Sequence, residues 1–422
     1  MANTMLNRIA KFTALTTLVI GCIFLILHKP LPEGFTISVS DRIAVHIIEP
    51  VLRAVYYYPS QMFSDPADMI WWTRLSLNSL NRVINPIKPT DKELIVKNED
   101  WFGVPVRIYI PENASTRNNA SVLFFHGGGF ALGNVEMYDS LTRLLAKKLN
   151  SVLVSVEYRL SPETAFPGQI QDCEAVVDYM MENGEDRFGI DTHRITLMGD
   201  SAGGNLATVV IQRRVAKRAH PEIGAQVLLY PLLQFVDLQT SSYRYFHKRL
   251  NGLALVDPKS IAYYYMFYAG IEKNTVKKLV PFVITNGHVK TEQKAAIEMA
   301  MRYESTIEKS LNYRNATIPA RFKVKESRQA QELLSKFILN PDFCPLLRED
   351  LRGMPKSLII TCEYDALRDE GIIYAQRLKD AGVQVDARNY ENGFHAMLNL
   401  HKEVEEAQKC VDDIVNWILN NV

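Results

Sequence analysis

Gly199-Asp200-Ser201-Ala202-Gly203 sets a serine between two glycines, where a strand-like run (Arg194 to Met198) meets a helix-like run (Asn205 to Lys217). That pattern makes a nucleophile elbow. The bend is too tight for side chains at Gly199 and Gly203, and it lifts the serine hydroxyl above the sheet. The free N–H groups of the following helix then face any negative charge that develops there. An ordinary turn has the same letters, so the reading depends on a base and an acid elsewhere. A serine hydroxyl is nearly inert at neutral pH and needs a base within hydrogen-bond reach.

The chain has nine histidines, of which His220, His247, His288, His395 and His401 follow Ser201. In elbow hydrolases the acid and then the histidine come after the serine. His220 lies just past the elbow helix, and His247 and His288 fall in a long irregular insertion. His401 opens a C-terminal amphipathic helix and reads as a solvated helix residue. His395 instead ends the loop Glu391-Asn392-Gly393-Phe394-His395, after a strand-like run from Val383 to Tyr390, where a base can be presented. An exposed loop histidine is the competing reading. The acid belongs just past a preceding buried strand. Ser357 to Cys362 is such a strand, and Glu363-Tyr364-Asp365 follows it directly. One helix (Leu367 to Lys379) and one strand separate Asp365 from His395, so a single strand–helix–strand unit brings both to neighbouring strand ends. Asp365 is the expected acid. Glu363 and Asp369 compete, but Asp369 reads as a first-turn acid facing the helix dipole.

A tetrahedral intermediate needs preorganised N–H donors. His126-Gly127-Gly128-Gly129 follows the apolar strand Ser121 to Phe125, and three glycines let the backbone turn its amides toward a ligand. The expected donors are Gly127 and Gly128, with Gly129 as a third candidate, joined by Ala202. His126 reads as a brace for this loop. A plain triple-glycine linker is the alternative, though it rarely follows a buried strand and a histidine.

Taken together, these residues resemble the hormone-sensitive-lipase-like family of α/β-hydrolases, whose marks are His-Gly-Gly-Gly and Gly-Asp-Ser-Ala-Gly. Tyr158-Arg159-Leu160-Ser161-Pro162-Glu163 is close to the family's Tyr-Arg-Leu-Ala-Pro-Glu, departing only at Ser161. Tyr230-Pro231, Tyr364-Asp365 and Gly393-Phe394-His395 agree as well. The resemblance runs from about residue 90 to the C-terminus, apart from one insertion. It implies an α/β-hydrolase fold: a mostly parallel sheet flanked by helices, with a helical cap. It also implies a Ser-His-Asp esterase needing no metal or organic cofactor. The N-terminal apolar segment makes the chain look like the arylacetamide deacetylase and neutral cholesterol ester hydrolase group. Those are membrane-anchored esterases facing the endoplasmic reticulum lumen and acting on arylacetamides or lipid esters.

Phe12 to Leu27 is an uncharged apolar run bounded by Lys11 and His28-Lys29. Slightly short for a spanning helix, it can be extended by snorkelling lysines. No small-x-small cleavage site follows, so an uncleaved signal anchor is favoured over a signal peptide. Arg8 and Lys11 before the run favour a cytoplasmic N-terminus and a lumenal enzyme, a single-pass type II protein. Sequons at Asn113, Asn119 and Asn315 suit that side. The expected organisation is an anchor at 1–34, a helical cap or membrane-proximal segment at 35–90, and a catalytic domain at 91–422. Residues 235 to 345 are too long for a simple connection and read as a lid. Tyr56, Tyr57, Tyr58, Trp71 and Trp72 line a cap, lie at the lipid interface, or simply pack.

The net charge of +1 argues against a nucleic-acid partner, and the 47% apolar fraction suffices for a large core. The five scattered cysteines leave disulfide pairing open. A small-molecule or lipid ester is the expected partner, with the membrane as a second. A non-catalytic binding protein on the same fold and an interfacial triglyceride or sterol-ester lipase are the rival readings.

Overall fold

The computed structural model describes residues 66–84, 91–113, 117–217, 223–249, 256–310 and 318–422. The expected anchor, Tyr56 to Tyr58 and Asn315 lie outside them. Among the described residues no helix is long and apolar enough to cross a membrane.

Helix α1 (Pro66–Ile84) precedes the sheet, which opens as a hairpin of β1 (Leu94–Trp101) and β2 (Val104–Pro111). Phe102 and Gly103, at φ 53° and 85°, make its two-residue turn, the backbone twist that a tight hairpin needs. Strands and helices then alternate as β3 (Asn118–Phe125), α2 (Val135–Leu149), β4 (Ser151–Val156), α3 (Gly168–Phe188), β5 (Ile195–Asp200), α4 (Ala202–Lys217) and β6 (Ala225–Leu229). After an insertion come β7 (Lys356–Tyr364), α11 (Arg368–Asp380), β8 (Val385–Phe394) and α12 (Glu405–Asn421). The eight strands order as β1-β2-β4-β3-β5-β6-β7-β8. Only the β1–β2 and β2–β4 pairs are antiparallel.

Each central strand is buried on both faces, so alternate residues enter two cores. In β3, Leu123 and Phe125 join the core under α3, α4 and α11, whereas Val122 and Phe124 join the one under α2 and α12. His401 corrects an expectation. It precedes α12 rather than opening it, and it is buried, its ring against Leu398 O (3.0 Å) and Ser140 Oγ (3.3 Å).

The insertion between β6 and β7 is largely helical: α5 (Ser241–Arg249), α6 (Pro258–Tyr268), α7 (Lys273–Val283), α8 (Lys294–Ala300), α9 (Glu304–Ser310) and α10 (Arg328–Ile338). The chain turns at Met301–Tyr303, which separates α8 from α9. Asp257 and Ser260 form a reciprocal capping box that starts α6, with Pro258 in its first turn. Cys173, Cys344, Cys362 and Cys410 are all buried and unpaired, and burial pushes each thiol pKa up.

Candidate active site

Strand β5 ends at Asp200 and α4 begins at Ala202, which leaves Ser201 alone on the bend. Its φ of 53° lies in the left-handed region, a strain of about 1–3 kcal/mol that surrounding contacts must hold. They do so from both sides: Ser201 N donates to Leu229 O (2.9 Å), and Leu232 N donates to Ser201 O (3.0 Å). The bend needs glycine at Gly203, where a Cβ would lie 1.9 Å from Phe125 O.

His395 follows the last residue of β8, and Asp365 follows the last residue of β7. The two strands pair in parallel with Tyr364 opposite Phe394, so their next residues emerge side by side. His395 Nδ1 lies 2.8 Å from Asp365 Oδ2, and its Nε2 lies 3.0 Å from Ser201 Oγ. Leu367 N donates to the other carboxylate oxygen of Asp365 (2.9 Å). The carboxylate thus accepts Nδ1–H, which leaves the Nε2 lone pair to accept the serine hydroxyl proton. All three side chains are buried. The competing acids are used elsewhere. Glu363 accepts from Arg368 (2.8 Å), and Asp369 is buried beneath the Ser242 amide (2.7 Å).

The glycine loop departs from expectation at one residue. Gly127 N donates to Asp200 Oδ1 (2.6 Å), so that amide is spent on tying the loop to the elbow and does not face the developing charge. Gly128, at φ 119°, turns the chain there, and its carbonyl accepts from Ala131 and Leu132. The amides of Gly128, Gly129 and Ala202 bond to no other described residue, while all three glycines line the cavity over Ser201 and His395.

Polar groups beneath the loop fix it. Asp200 is buried, which raises its pKa to about 6, against the Tyr138 hydroxyl (2.9 Å) and the Gly127 amide, which favour the carboxylate. His126 is buried beside Gly127 O (2.8 Å), and desolvation lowers its pKa to about 4. Tyr158 stacks on that ring at 4.3 Å and donates to His126 O (2.6 Å). His126 is therefore a brace, as the sequence suggests. Tyr138 is the partner that sequence reading missed, for nothing in α2 marks one helix tyrosine apart from another. Arg159 pairs with Asp172 (2.6 Å), and Glu163 with Arg74 of α1 (2.7 Å).

Over the serine lies a cavity of about 80 Å³ with apolar walls: Leu77 of α1, Leu132, Met137 of α2, Leu232, and Ile261 and Tyr264 of α6. Tyr268 of α6 stacks on Phe130 of the glycine loop at 3.8 Å, so the insertion docks directly on the loop.

A serine, an imidazole and a carboxylate in line at the carboxyl ends of parallel strands, beside amides that bond to no other described residue, define a hydrolase site on an α/β sheet. The chain belongs to the α/β-hydrolase fold family, whose model matches residues 122–301 and 306–399. Within it, the chain falls with the hormone-sensitive-lipase-like hydrolases, in the arylacetamide deacetylase and neutral cholesterol ester hydrolase group. Arylacetamide deacetylase of Bos taurus is 31% identical over 354 residues, covering 80% of this chain and 83% of that protein. Neutral cholesterol ester hydrolase 1 of Rattus norvegicus is 33% identical over 314 residues, covering 72% and 74%. Among solved structures, an esterase of Pyrobaculum calidifontis superposes with a TM-score of 0.61 at 24% identity, over 88% of this chain and 99% of that one. A structure of an arylesterase gives 0.61 at 23%, over 92% and 99%. At those identities the likeness concerns the fold.

Proposed function

We propose that this chain is a carboxylic ester hydrolase working through an acyl-enzyme on Ser201. His395 takes the hydroxyl proton as Ser201 attacks the carbonyl, then delivers it to the leaving alcohol or amine. Asp365 holds the imidazole in its working tautomer and stabilises its protonated form. The amides of Gly128, Gly129 and Ala202 receive the oxyanion, each of the size that typically contributes roughly 10²–10³ in rate. Water activated by His395 then repeats the sequence on the acyl-enzyme.

One observation carries the reading: His395 bridges Ser201 and Asp365 at 3.0 and 2.8 Å, all three buried. A binding protein on this fold would have no use for an imidazole held in that tautomer. The relatives support the substrate class, since their names specify arylacetamides and cholesterol esters. We assign arylacetamides or lipid esters, with small acyl groups favoured by the 80 Å³ cavity. Residues 1–34 are proposed as the anchor, 35–90 as the membrane-proximal segment and 91–422 as the catalytic domain. That domain includes the lid at 235–345 and lies on the lumenal side of the endoplasmic reticulum membrane. The test is hydrolysis of p-nitrophenyl esters, from acetyl to palmitoyl, by membranes carrying the wild type or Ser201→Ala. Serine-dependent turnover that falls with acyl length is expected. Equal turnover by both proteins would refute the mechanism.

A further inference from the structure

Six side chains with a polar group line the active-site cavity: Ser201, His395, Asp200, Tyr138, Tyr264 and Asn399. The mechanism uses the first two, and Asp200 and Tyr138 hold the glycine loop. Tyr264 belongs to the insertion, which leaves Asn399 without a task. It lies in the helical turn Met397–Leu400, four residues past His395, and shares one wall of the cavity with His395 and Ala396. Its carboxamide has a donor end and an acceptor end, and the neighbouring hydroxyl decides how they point. Tyr138 has a single hydroxyl proton, which it donates to Asp200 Oδ2 at 2.9 Å. The Asn399 side chain hydrogen-bonds the same hydroxyl, so it can only donate there. Nδ2 therefore turns to Tyr138. Oδ1 points the other way, and no described residue bonds to it. At the wall of a largely apolar cavity, an acceptor with no protein partner is a place for a donor on the ligand.

We propose that Asn399 is a specificity-determining residue, whose Oδ1 accepts the N–H of a secondary amide and lets this site release an amine as well as an alcohol. This rests on the ester-hydrolase reading and separates the two leaving groups within it. The reason lies in the second half of acylation. Once Ser201 Oγ has bonded to the carbonyl carbon, the amide nitrogen becomes pyramidal and gains a lone pair. That lone pair must face His395 Nε2–H, to take its proton as the C–N bond breaks. The nitrogen's own N–H then points away from the base and, inside an apolar cavity, lacks the partner that water gave it. Asn399 Oδ1, on the base's own wall, supplies that partner in the tetrahedral state. The acyl group stays on Oγ and the amine leaves neutral. An ester oxygen carries no hydrogen, so the same contact does nothing for it.

The test compares p-nitroacetanilide with p-nitrophenyl acetate, which share the acetyl group and the ring and differ in N–H against O. Asn399→Leu keeps the volume and removes the acceptor. In the full-length variant, kcat on the anilide should fall about tenfold at nearly constant KM. The anilide-to-ester ratio of kcat/KM should fall with it. Asn399→Ala, which places no branched side chain in the cavity, should lower the ratio likewise, and ester turnover reports that each variant is folded. If Asn399 only braces Tyr138, both substrates lose turnover together and the ratio stays at its wild-type value, which overturns the proposal. A wild type that cleaves the ester but not the anilide overturns it too, and leaves the ester-hydrolase reading standing. A wild type that cleaves neither overturns both.

Discussion

At the carboxyl edge of the sheet, Ser201, Asp365 and His395 each stand one residue past the end of a strand. In the segment between β6 and β7, the residues that hold the structure bear no such relation to any strand. Asp237 bonds to Arg321 (2.8 Å), Ser242 to Asp369, and His288 Nε2 to Phe235 O (2.8 Å). These pairs bridge 84, 127 and 53 positions of sequence. The sheet edge is thus specified by short local patterns on a rigid frame, and the insertion by long-range pairs on helices. The lesson concerns tolerance: chemistry at the edge depends on single atoms, whereas the shape of the pocket is spread over many modest contacts.

Four changes probe that contrast, beginning with the largest effect. Ser201→Ala should lower kcat by roughly 10⁴–10⁶ while leaving the urea unfolding midpoint in place. Loss of stability along with activity would show the edge to be less rigid than its register implies.

Acid stability comes next and samples both regions with one kind of group. His126 at the edge and His288 in the insertion are each buried, with pKa lowered to about 4 by desolvation. Each ring has one nitrogen on a backbone carbonyl and the other buried without a partner among the described residues. Unfolded imidazoles protonate near pH 6.5 and folded ones only near 4, so the unfolded state binds more protons between those values. Stability should therefore fall as pH drops through that window, each histidine contributing up to about 3 kcal/mol. Urea titrations at pH 7 and 5 should show the fall, reduced in His288→Gln. The same slope in wild type and variant would assign it to other groups.

A smaller effect is expected at Asp200. Asp200→Asn keeps the volume but presents one donor where two donors now point, Gly127 N and Tyr138 OH. With a soluble ester, kcat should fall about tenfold to a hundredfold at constant KM, since the change acts on the amides facing the oxyanion. A change confined to KM would place Asp200 in ground-state binding.

The smallest effect belongs to the insertion. Arg321 is 45% exposed in its pair with Asp237, and screened pairs of that kind contribute about 1 kcal/mol or less. Asp237 also keeps Asn286 Nδ2 (2.7 Å) and Gln239 N (2.9 Å). Arg321→Ala should shift Tm by a few degrees at most and leave p-nitrophenyl acetate turnover intact. A large loss would mean that the insertion is as locally exacting as the edge.

The contrast also explains what could be read from sequence. Glycines flanking a serine, a glycine run after a strand, and an acid and a histidine one unit apart are short patterns with a steric cause. The structure brings those residues together. Direction within a loop has no such signature: whether the Gly127 amide turns to the site or to Asp200 depends on a carboxylate 73 positions away. Tyr138 was illegible for the same reason, and so were the break between α8 and α9 and the burial of His401. Asp369 is a first-turn acid, as its place in the sequence implies, but its burial under Ser242 depends on how the insertion folds back.

The four buried cysteines have a consequence of their own. Their thiols are protonated and out of reach of solvent, so a maleimide should meet them only when the domain opens as a whole. Beyond whatever Cys22 contributes, the rate at which this chain gains label is then a clock for global unfolding. It could be read by mass in a crude extract with no engineered probe.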